Sequence, residues 1–128
     1  MDMIKTIINT AEAPAPIGPY NQAILSGGFL FISGQVALKA GTNELANNDI
    51  AEETHQVMIN LKAILSEAKM SFNNVVKTTI FLSDMSLFAG VNEVYGKYFD
   101  TAFPARETVA VKGLPKNVNV EISMIAAQ

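Results

Sequence analysis

The hydrophobic residues in the first third of the chain fall in short runs that have the composition of β-strands. Such runs cover residues 3–8, 20–25 and 29–33, and in a strand every second side chain lies on the same face. Ser26-Gly27-Gly28 separates the last two runs, and glycine supplies the positive φ that a tight hairpin needs. We therefore expect a β meander, with the proline-rich segment 11–19 as an extended loop inside it.

From Asp49 the spacing of the hydrophobic residues becomes that of an α-helix. The apolar residues on one helical face are Ile50, Val57, Leu61, Ile64, Leu65 and Ala68. The charged residues Glu52, Glu53, Lys62 and Glu67 are predicted to lie elsewhere on the helix. Asp49 and Glu52 have the spacing of a capping box, so we expect the helix to begin there.

The second half of the chain contains a β-rich segment, a second helical pattern and two further β-like segments. Residues 75–82 are rich in β-formers. A second helix is expected after a cap at Asp84 or Ser86. Its apolar stripe comprises Phe88, Val91, Tyr95, Tyr98 and Phe99. Two further strands are predicted at about 107–112 and 118–126, joined by the segment 113–117.

This order of elements predicts a single α+β domain over residues 1–128. Its core is a mixed β-sheet of about six strands with two helices packed on one face. The strands carry apolar residues on both faces, and two helices of this length cover only one. The uncovered face therefore favours a homo-oligomer, with sites near the subunit interface.

Composition supports this picture and excludes several classes of function. Hydrophobic residues make up 49% of the chain and charged residues only 16%, a high apolar load for a small monomer. The net charge of −3 argues against nucleic acid and anionic membranes as partners. The absence of cysteine excludes disulfides and thiolate metal sites. No metal site or cofactor is expected, and the lack of a long apolar run or signal sequence predicts a cytoplasmic protein.

Arg106 is the first candidate functional residue. It begins a strand that continues with Val109, Ala110 and Val111, and a buried guanidinium must meet an anion. It forms either a structural ion pair or a clamp for a small carboxylate, which its planar fork of donors fits in a bidentate manner.

Glu121 is the second candidate. It interrupts an apolar strand and shares a face with Asn119 and Ser123, so it is either a solvated residue or a functional acid. If the last two strands form a hairpin, Glu121 lies opposite about 108–109, close to Arg106. The carboxylate and the guanidinium would then share one neighbourhood.

Four weaker candidates each have an ordinary structural explanation. Asn92 falls within the apolar stripe of the second helix, as a ligand or as a satisfied buried amide. Ser33-Gly34-Gln35 ends a strand, where glycine permits either close approach to a ligand or a bulge. Tyr20 forms either a pocket wall or part of the core. His55, the only histidine, is predicted to be partly exposed.

Taken together, these residues resemble the RidA/YjgF family along essentially the whole chain. The motifs that carry the resemblance are Ala15-Pro16-Ile17-Gly18-Pro19-Tyr20, Ile32-Ser33-Gly34-Gln35, Val76-Lys77-Thr78-Thr79, Val91-Asn92, Pro104-Ala105-Arg106, Leu114-Pro115 and Val120-Glu121-Ile122. Their order and spacing are similar to those of the family.

The resemblance implies a chorismate-mutase-like subunit and a homotrimer whose sheets form an inner barrel, with three clefts between neighbouring subunits. It implies that Arg106 binds a substrate carboxylate and that Glu121 holds or activates water. Tyr20, Ser33, Gly34, Asn92 and Thr108 would complete the cleft.

Two positions depart from the family pattern. Thr108 stands where many members have cysteine, and Glu107 where many have a small residue. Imine hydrolysis needs no sulfur nucleophile, so the reaction should tolerate Thr108. Strand alternation should point Glu107 away from Arg106.

The implied reaction is hydrolysis of short 2-imino acids to 2-keto acids and ammonia, without metal or cofactor. One alternative is a regulatory trimer that binds a small molecule in the same cleft without turnover. A second is an endoribonuclease, which the acidic charge balance and the single histidine disfavour.

Overall fold

The structure is a computed structural model that describes residues 4–128, and it contains one six-stranded mixed sheet in the order β1-β2-β3-β6-β4-β5. The strands are β1 (Thr6–Ile8), β2 (Ala23–Ser26), β3 (Phe29–Gln35), β4 (Val75–Leu82), β5 (Ala105–Ala110) and β6 (Val120–Ala127). The helices are α1 (Ile50–Glu67) and α2 (Phe88–Tyr95). Strands β4 and β5 are parallel, and the other neighbours are antiparallel. The predicted α+β class and mixed sheet are confirmed.

The first three strands form the predicted meander. Ser26 pairs with Phe29 across a two-residue turn, in which Gly27 and Gly28 have φ of 62° and 84°. Both values lie in the region that glycine adopts without strain. The first predicted run, residues 3–8, is shorter as a strand, and Met3 lies outside the described residues.

Helix α1 begins where the sequence predicts. The Asp49 side chain accepts a hydrogen bond from the Glu52 backbone N–H at 2.7 Å, while Glu52 reaches back to the N–H of Asn48 instead of that of Asp49. The prediction that Glu53 lies away from the buried face is wrong, because this residue is completely buried. At four-residue spacing from Val57, it belongs to the inward stripe.

Helix α2 is shorter than its apolar stripe suggests. The Asp84 side chain caps a 3₁₀ turn, Met85–Leu87, that leads into the helix, and a second 3₁₀ turn, Gly96–Tyr98, follows it. The stripe continues into the core through Val91, Tyr95 and Phe99, which are buried.

The last two strands do not form a hairpin, which corrects the sequence-based expectation. Strand β4 lies between β5 and β6, so β4, α2 and β5 make a β-α-β crossover, whose strands are parallel. Strand β5 also begins two residues earlier than predicted, at Ala105, and β6 begins two residues later, at Val120.

The two faces of the sheet differ in how they are covered. Helix α1 packs on the face that contains the core side chains Leu30, Ile80 and Ile122, which are completely buried. On the other face Phe29 and Phe31 are each 46% exposed, so apolar side chains lie on a surface that no element of residues 4–128 covers. Within the same residues, no helix combines the length and the hydropathy that crossing a membrane requires.

Candidate functional site

Arg106 lies on edge strand β5 and points to the helix-covered side of the sheet. Its register partner on β4 is Thr78, which is completely buried. The guanidinium carbon lies 5.1 Å from the centre of the Tyr95 ring and 5.6 Å from that of Phe88. These rings hold the cation by cation–π attraction while leaving its planar fork of donors available.

The residues around Arg106 form a shallow cleft that also contains a predicted site residue. Asn92 lines it together with Tyr95 and Arg106, and the remaining walls are Gly96, Phe103 and Pro104. Tyr95 is fixed from below because its hydroxyl donates to Thr78 Oγ1 at 3.0 Å. Burial raises the pKa of Tyr95, so the ring stays neutral beneath the guanidinium. We call this group the Arg106 cleft.

Arg106 has no carboxylate partner among residues 4–128, where the ion pair found is that between Lys77 and Glu107, at 3.0 Å. Glu107 also accepts a hydrogen bond from Thr79, its register partner on the open face of the sheet. The prediction that Glu107 points away from Arg106 is therefore confirmed. The hydrogen bonds from Thr79 and Lys77 lower the pKa of Glu107, which keeps it ionised and engaged on that face.

Thr108 lies two residues beyond Arg106 on the same side of β5. Its Oγ1 is buried and has no hydrogen-bond partner in the described chain. A buried hydroxyl is normally satisfied, so this atom is suited to a group that comes from outside the subunit.

Glu121 lies on the open face of the sheet. Its register partner on β4 is Phe81, whose partner on the other side is Val109. Glu121 therefore lies level with residues 108–109, as expected, but β4 runs between β6 and β5. The backbones of Glu121 and Val109 are two strand spacings apart, which is about 10 Å. The prediction that Arg106 and Glu121 share one neighbourhood within a chain is wrong, because they also point to opposite faces.

A second cleft surrounds Glu121. It contains Tyr20 and Gly34, as predicted for the site, and its other lining residues are Pro14, Ala15, Ile17, Gln22, Gln35, Val36, Leu38, Pro115 and Lys116. Partial burial raises the pKa of Glu121, which moves the carboxyl toward the range useful for proton transfer near neutral pH. We call this group the Glu121 cleft.

Gly34 packs directly against the carboxyl group of Glu121. A β-carbon at position 34 would lie 2.6 Å from Glu121 Oε2, closer than non-bonded atoms approach. The pairing of β3 with β6 shifts register between Ile32 and Gln35, so Gly34 lies in a bulge. Of the two explanations that the sequence offered for this glycine, the bulge is therefore confirmed. Gly34 also permits the close approach of the Glu121 carboxyl group.

Ser33 and Tyr20 make local hydrogen bonds near this cleft. The Ser33 hydroxyl donates to the Asn21 carbonyl at 2.7 Å, and Ser33 is not one of the cleft's lining residues. The Tyr20 hydroxyl accepts a weak hydrogen bond, at 3.4 Å, from the N–H of Ile17. Tyr20 is 47% exposed, which favours the pocket-wall interpretation over the core.

Of the predicted site residues, Asn92 and Arg106 thus line one cleft, and Tyr20, Gly34 and Glu121 line the other. Thr108 lies on the same side of β5 as Arg106, and Ser33 lines neither cleft. His55 belongs to neither, and it is exposed, as predicted. Its hydrogen bond with Tyr98 was not foreseen. Among residues 4–128, no cluster of three acidic or histidine side chains could hold a metal ion.

Sequence reasoning missed the residue that holds the loop of the Glu121 cleft. The amide of Gln22 is buried and donates to the carbonyls of Thr10, Ala13 and Pro14, at 3.0, 3.3 and 2.8 Å. Its oxygen accepts from the Thr10 N–H at 2.7 Å. The signal in the sequence is a glutamine directly before the apolar residues Ala23, Ile24 and Leu25, where an unsatisfied buried amide would be costly.

The chain is similar to known proteins along nearly its whole length. Residues 10–128 match the family model described as Endoribonuclease L-PSP. A RutC family protein of Pyrococcus horikoshii is 50% identical over 96% of this chain and 98% of its own. The 2-iminobutanoate/2-iminopropanoate deaminase of Bos taurus is 44% identical over 98% and 92%. The crystal structure of E. coli TdcF with bound serine is 38% identical, covers 96% of this chain and 98% of its own, and superimposes with a TM-score of 0.92.

Proposed function

Because this chain belongs to the RidA/YjgF family, we propose that it hydrolyses short 2-imino acids to 2-keto acids and ammonia. The observation that carries the proposal is the state of Arg106. Its guanidinium lies over two aromatic rings in an open cleft and has no carboxylate partner within residues 4–128. Such a group is suited to capture the carboxylate of a small ligand.

We further propose that the complete site forms between two copies of the chain, in a homotrimer. One copy contributes the Arg106 cleft, and the next contributes the Glu121 cleft. Two observations support this assembly: the two groups lie on opposite faces of one sheet, and apolar side chains occupy the open face. A second copy would cover that face and bring an edge strand to the Glu121 cleft.

In this arrangement Arg106 binds the substrate carboxylate, and the Asn92 amide provides a further donor in the same cleft. The electrophilic C2 atom of the imine is thereby held next to the neighbouring copy's Glu121. Holding the reactants in this way converts a bimolecular encounter into a local one.

Glu121 would move the protons. As the oxygen of a water molecule bonds to C2, the Glu121 carboxylate accepts a proton from that water, and the C=N bond becomes a single bond. Glu121 then returns the proton to the nitrogen. This gives a carbinolamine. As the C–N bond breaks, Glu121 accepts the proton of the new hydroxyl and passes it to the departing nitrogen, so that the products are the 2-keto acid and ammonia.

The relatives support the same chemistry. The bovine protein is named for the deamination of 2-iminobutanoate and 2-iminopropanoate, and the E. coli structure has bound serine, a small molecule that also presents a carboxylate. The family description contains the word endoribonuclease, but the net charge of this chain is −3. An RNA backbone is bound by surfaces rich in Lys and Arg.

The direct test is a coupled assay in which an amino-acid oxidase, or a serine/threonine dehydratase, generates the imine and its decay is followed. The wild-type protein should accelerate the decay, and Arg106→Ala should abolish the acceleration without unfolding the protein. Arg106→Lys should restore little, because an ammonium lacks the bidentate fork. Decay that wild-type protein does not accelerate would contradict the proposal, and a keto acid that still binds Arg106 would then indicate a binding protein.

A further inference from the structure

The carboxyl group of Glu53 is completely buried and joins the first turn of α1 to the start of β6. Its Oε2 accepts hydrogen bonds from the backbone N–H groups of Asn119, at 2.7 Å, and Val120, at 3.1 Å. Its Oε1 accepts from Asn119 Nδ2 at 3.1 Å. Burying a carboxyl group is costly, and an apolar side chain would fill the same space. The arrangement therefore serves to fix the strand.

Asn119 is also held from the opposite side, by the residue that follows β4. The Ser83 hydroxyl donates to Asn119 Oδ1 at 2.8 Å, and the Ser83 N–H donates to the Asn119 carbonyl at 2.9 Å. The backbone and side-chain polar groups of Asn119 are thus all engaged, between α1 on one side and β4 on the other. We call Glu53, Ser83 and Asn119 the β6 clamp.

The segment just before the clamp has an unusual backbone. Lys116 and Asn117 have φ of 59° and 55°, values that cost a non-glycine residue free energy and persist where the surroundings enforce them. Lys116 and Pro115 line the Glu121 cleft. The clamp therefore anchors the chain two residues after a strained turn that forms one wall of the cleft.

Glu121 follows the clamp by two residues, and its position allows little freedom. The carboxyl group packs so closely on Gly34 that a β-carbon there would lie 2.6 Å from Oε2. A displacement of β6 relative to β3 would move the carboxyl group across this contact. A misplacement of about 1 Å at a reacting group can lower a rate by about 100-fold.

We propose that Glu53 is a positioning residue for Glu121, acting through Asn119 and Val120. The expected change in kcat rests on the proposed function. The expected effect of Glu53 on the surroundings of the Glu121 carboxyl group does not depend on turnover.

The test compares Glu53→Met with Glu53→Gln. Methionine has similar length but offers the two backbone N–H groups no strong acceptor, so kcat should fall about 10-fold to 100-fold while KM changes by less than about 2-fold. Glutamine keeps one oxygen for these N–H groups, and the Asn119 amide can turn to accept from its new NH₂ group, so kcat should return close to wild type. Glu67→Met, an exposed carboxylate removed from the same helix, is the matched control and should leave kcat unchanged.

An unchanged kcat in Glu53→Met would overturn the proposal, and so would an equal loss in Glu53→Gln. If Glu53→Met does not fold, Asn119→Ala takes its place, since it removes only the side-chain half of the clamp. It should lower kcat about 3-fold to 10-fold with KM retained, and wild-type kcat would overturn the proposal.

A second readout separates this inference from the proposed function. In protein labelled with ¹³C at the Glu side chains, the Glu121 carboxyl carbon should titrate with a raised pKa in the wild type, because of its burial. The pKa should fall in Glu53→Met, as the loosened strand admits water, and stay raised in Glu53→Gln and Glu67→Met. A wild-type titration in Glu53→Met would overturn the inference even if imine hydrolysis is confirmed. A fall in the Glu121 pKa in Glu53→Met would support the inference even if imine hydrolysis is not confirmed.

Discussion

Arg106 and Glu121 lie on opposite faces of one sheet, with β4 between their strands. Arg106 pairs with buried Thr78 on the helix side, whereas Glu121 pairs with Phe81 on the open side. A small imino acid cannot contact both side chains of one chain. The proposed chemistry therefore requires two copies, and this requirement can be tested directly.

We predict that two inactive variants restore each other's activity. Chains carrying Arg106→Ala and chains carrying Glu121→Gln, unfolded together and refolded at equal concentrations, should recover about a quarter of wild-type activity. That is the fraction of inter-subunit clefts that combine an intact Arg106 with an intact Glu121 when subunits mix at random. The measurement is the imine decay rate per cleft. The control is each variant refolded alone, which should retain no more than about 1% of wild-type activity, as a 100-fold loss implies. A mixture that stays at this level would contradict the shared cleft.

Gly34→Ala should lower turnover without unfolding the protein. The added β-carbon meets Glu121 Oε2 at 2.6 Å, so the carboxyl group must move, and we expect a loss of about 10-fold to 100-fold in kcat. Gly113→Ala is the matched control, since a β-carbon there has nothing within 4 Å. Equal kcat values for the two variants, with thermal unfolding as a check on the fold, would show that the Gly34 contact does not matter for catalysis.

The elements that the sequence predicted correctly are those whose signal is local. Gly27 and Gly28 specify a tight turn through their own backbone freedom, and Asp49 caps α1 through a hydrogen bond to Glu52, three residues away. The uncovered apolar face was likewise predictable, because the alternation in each strand assigns side chains to faces without reference to strand order.

The order of the last strands was not predicted, because adjacency in sequence was taken for adjacency in the sheet. Strand, helix and strand at 75–110 form a unit that makes β5 parallel to β4, and this leaves β6 to insert between β3 and β4. Glu53 was missed for a different reason. Its charge suggested that the side chain is exposed to solvent, but its four-residue spacing from Val57 places it on the buried face of α1.

Thr108 gives a test with opposite outcomes. If its unpartnered hydroxyl forms a hydrogen bond with the substrate or with a neighbouring copy, Thr108→Val should lower kcat/KM by about 5-fold, the cost of one neutral hydrogen bond. The kcat/KM of Thr108→Ser should then stay near the wild-type value. If the hydroxyl stays unpaired, Thr108→Val should instead raise the melting temperature and leave kcat/KM unchanged, because it removes an unsatisfied buried group. Coupled-assay kinetics and thermal unfolding of the same three proteins decide between the two.

Glu121→Gln should separate binding from turnover. Glutamine keeps the shape of the side chain but cannot accept the proton of the attacking water, so kcat should fall by about 100-fold, the lower end of the range for general acid–base assistance. A keto-acid product should still compete with substrate at wild-type affinity, because Arg106 and not Glu121 binds its carboxylate. Loss of both turnover and product affinity would show instead that Glu121 organises the Arg106 cleft.

The pH dependence of the wild type should carry the signature of the same carboxyl group. Burial raises the pKa of Glu121, and the base must be ionised to accept a proton, so kcat should fall as the pH drops through this raised pKa. The acidic limb of the kcat profile should therefore lie above the pH at which an exposed glutamate titrates, and it should be absent from the residual activity of Glu121→Gln.

The stability of the folded protein should change with pH in the opposite sense, because a raised pKa means that the folded state binds the proton more tightly than the unfolded state. The wild type should match Glu121→Gln in stability most closely at low pH and lose stability relative to it as the pH rises through the Glu121 pKa. Denaturant unfolding of both proteins across that window measures the difference, and parallel curves would show that the Glu121 carboxyl group has the same pKa folded and unfolded.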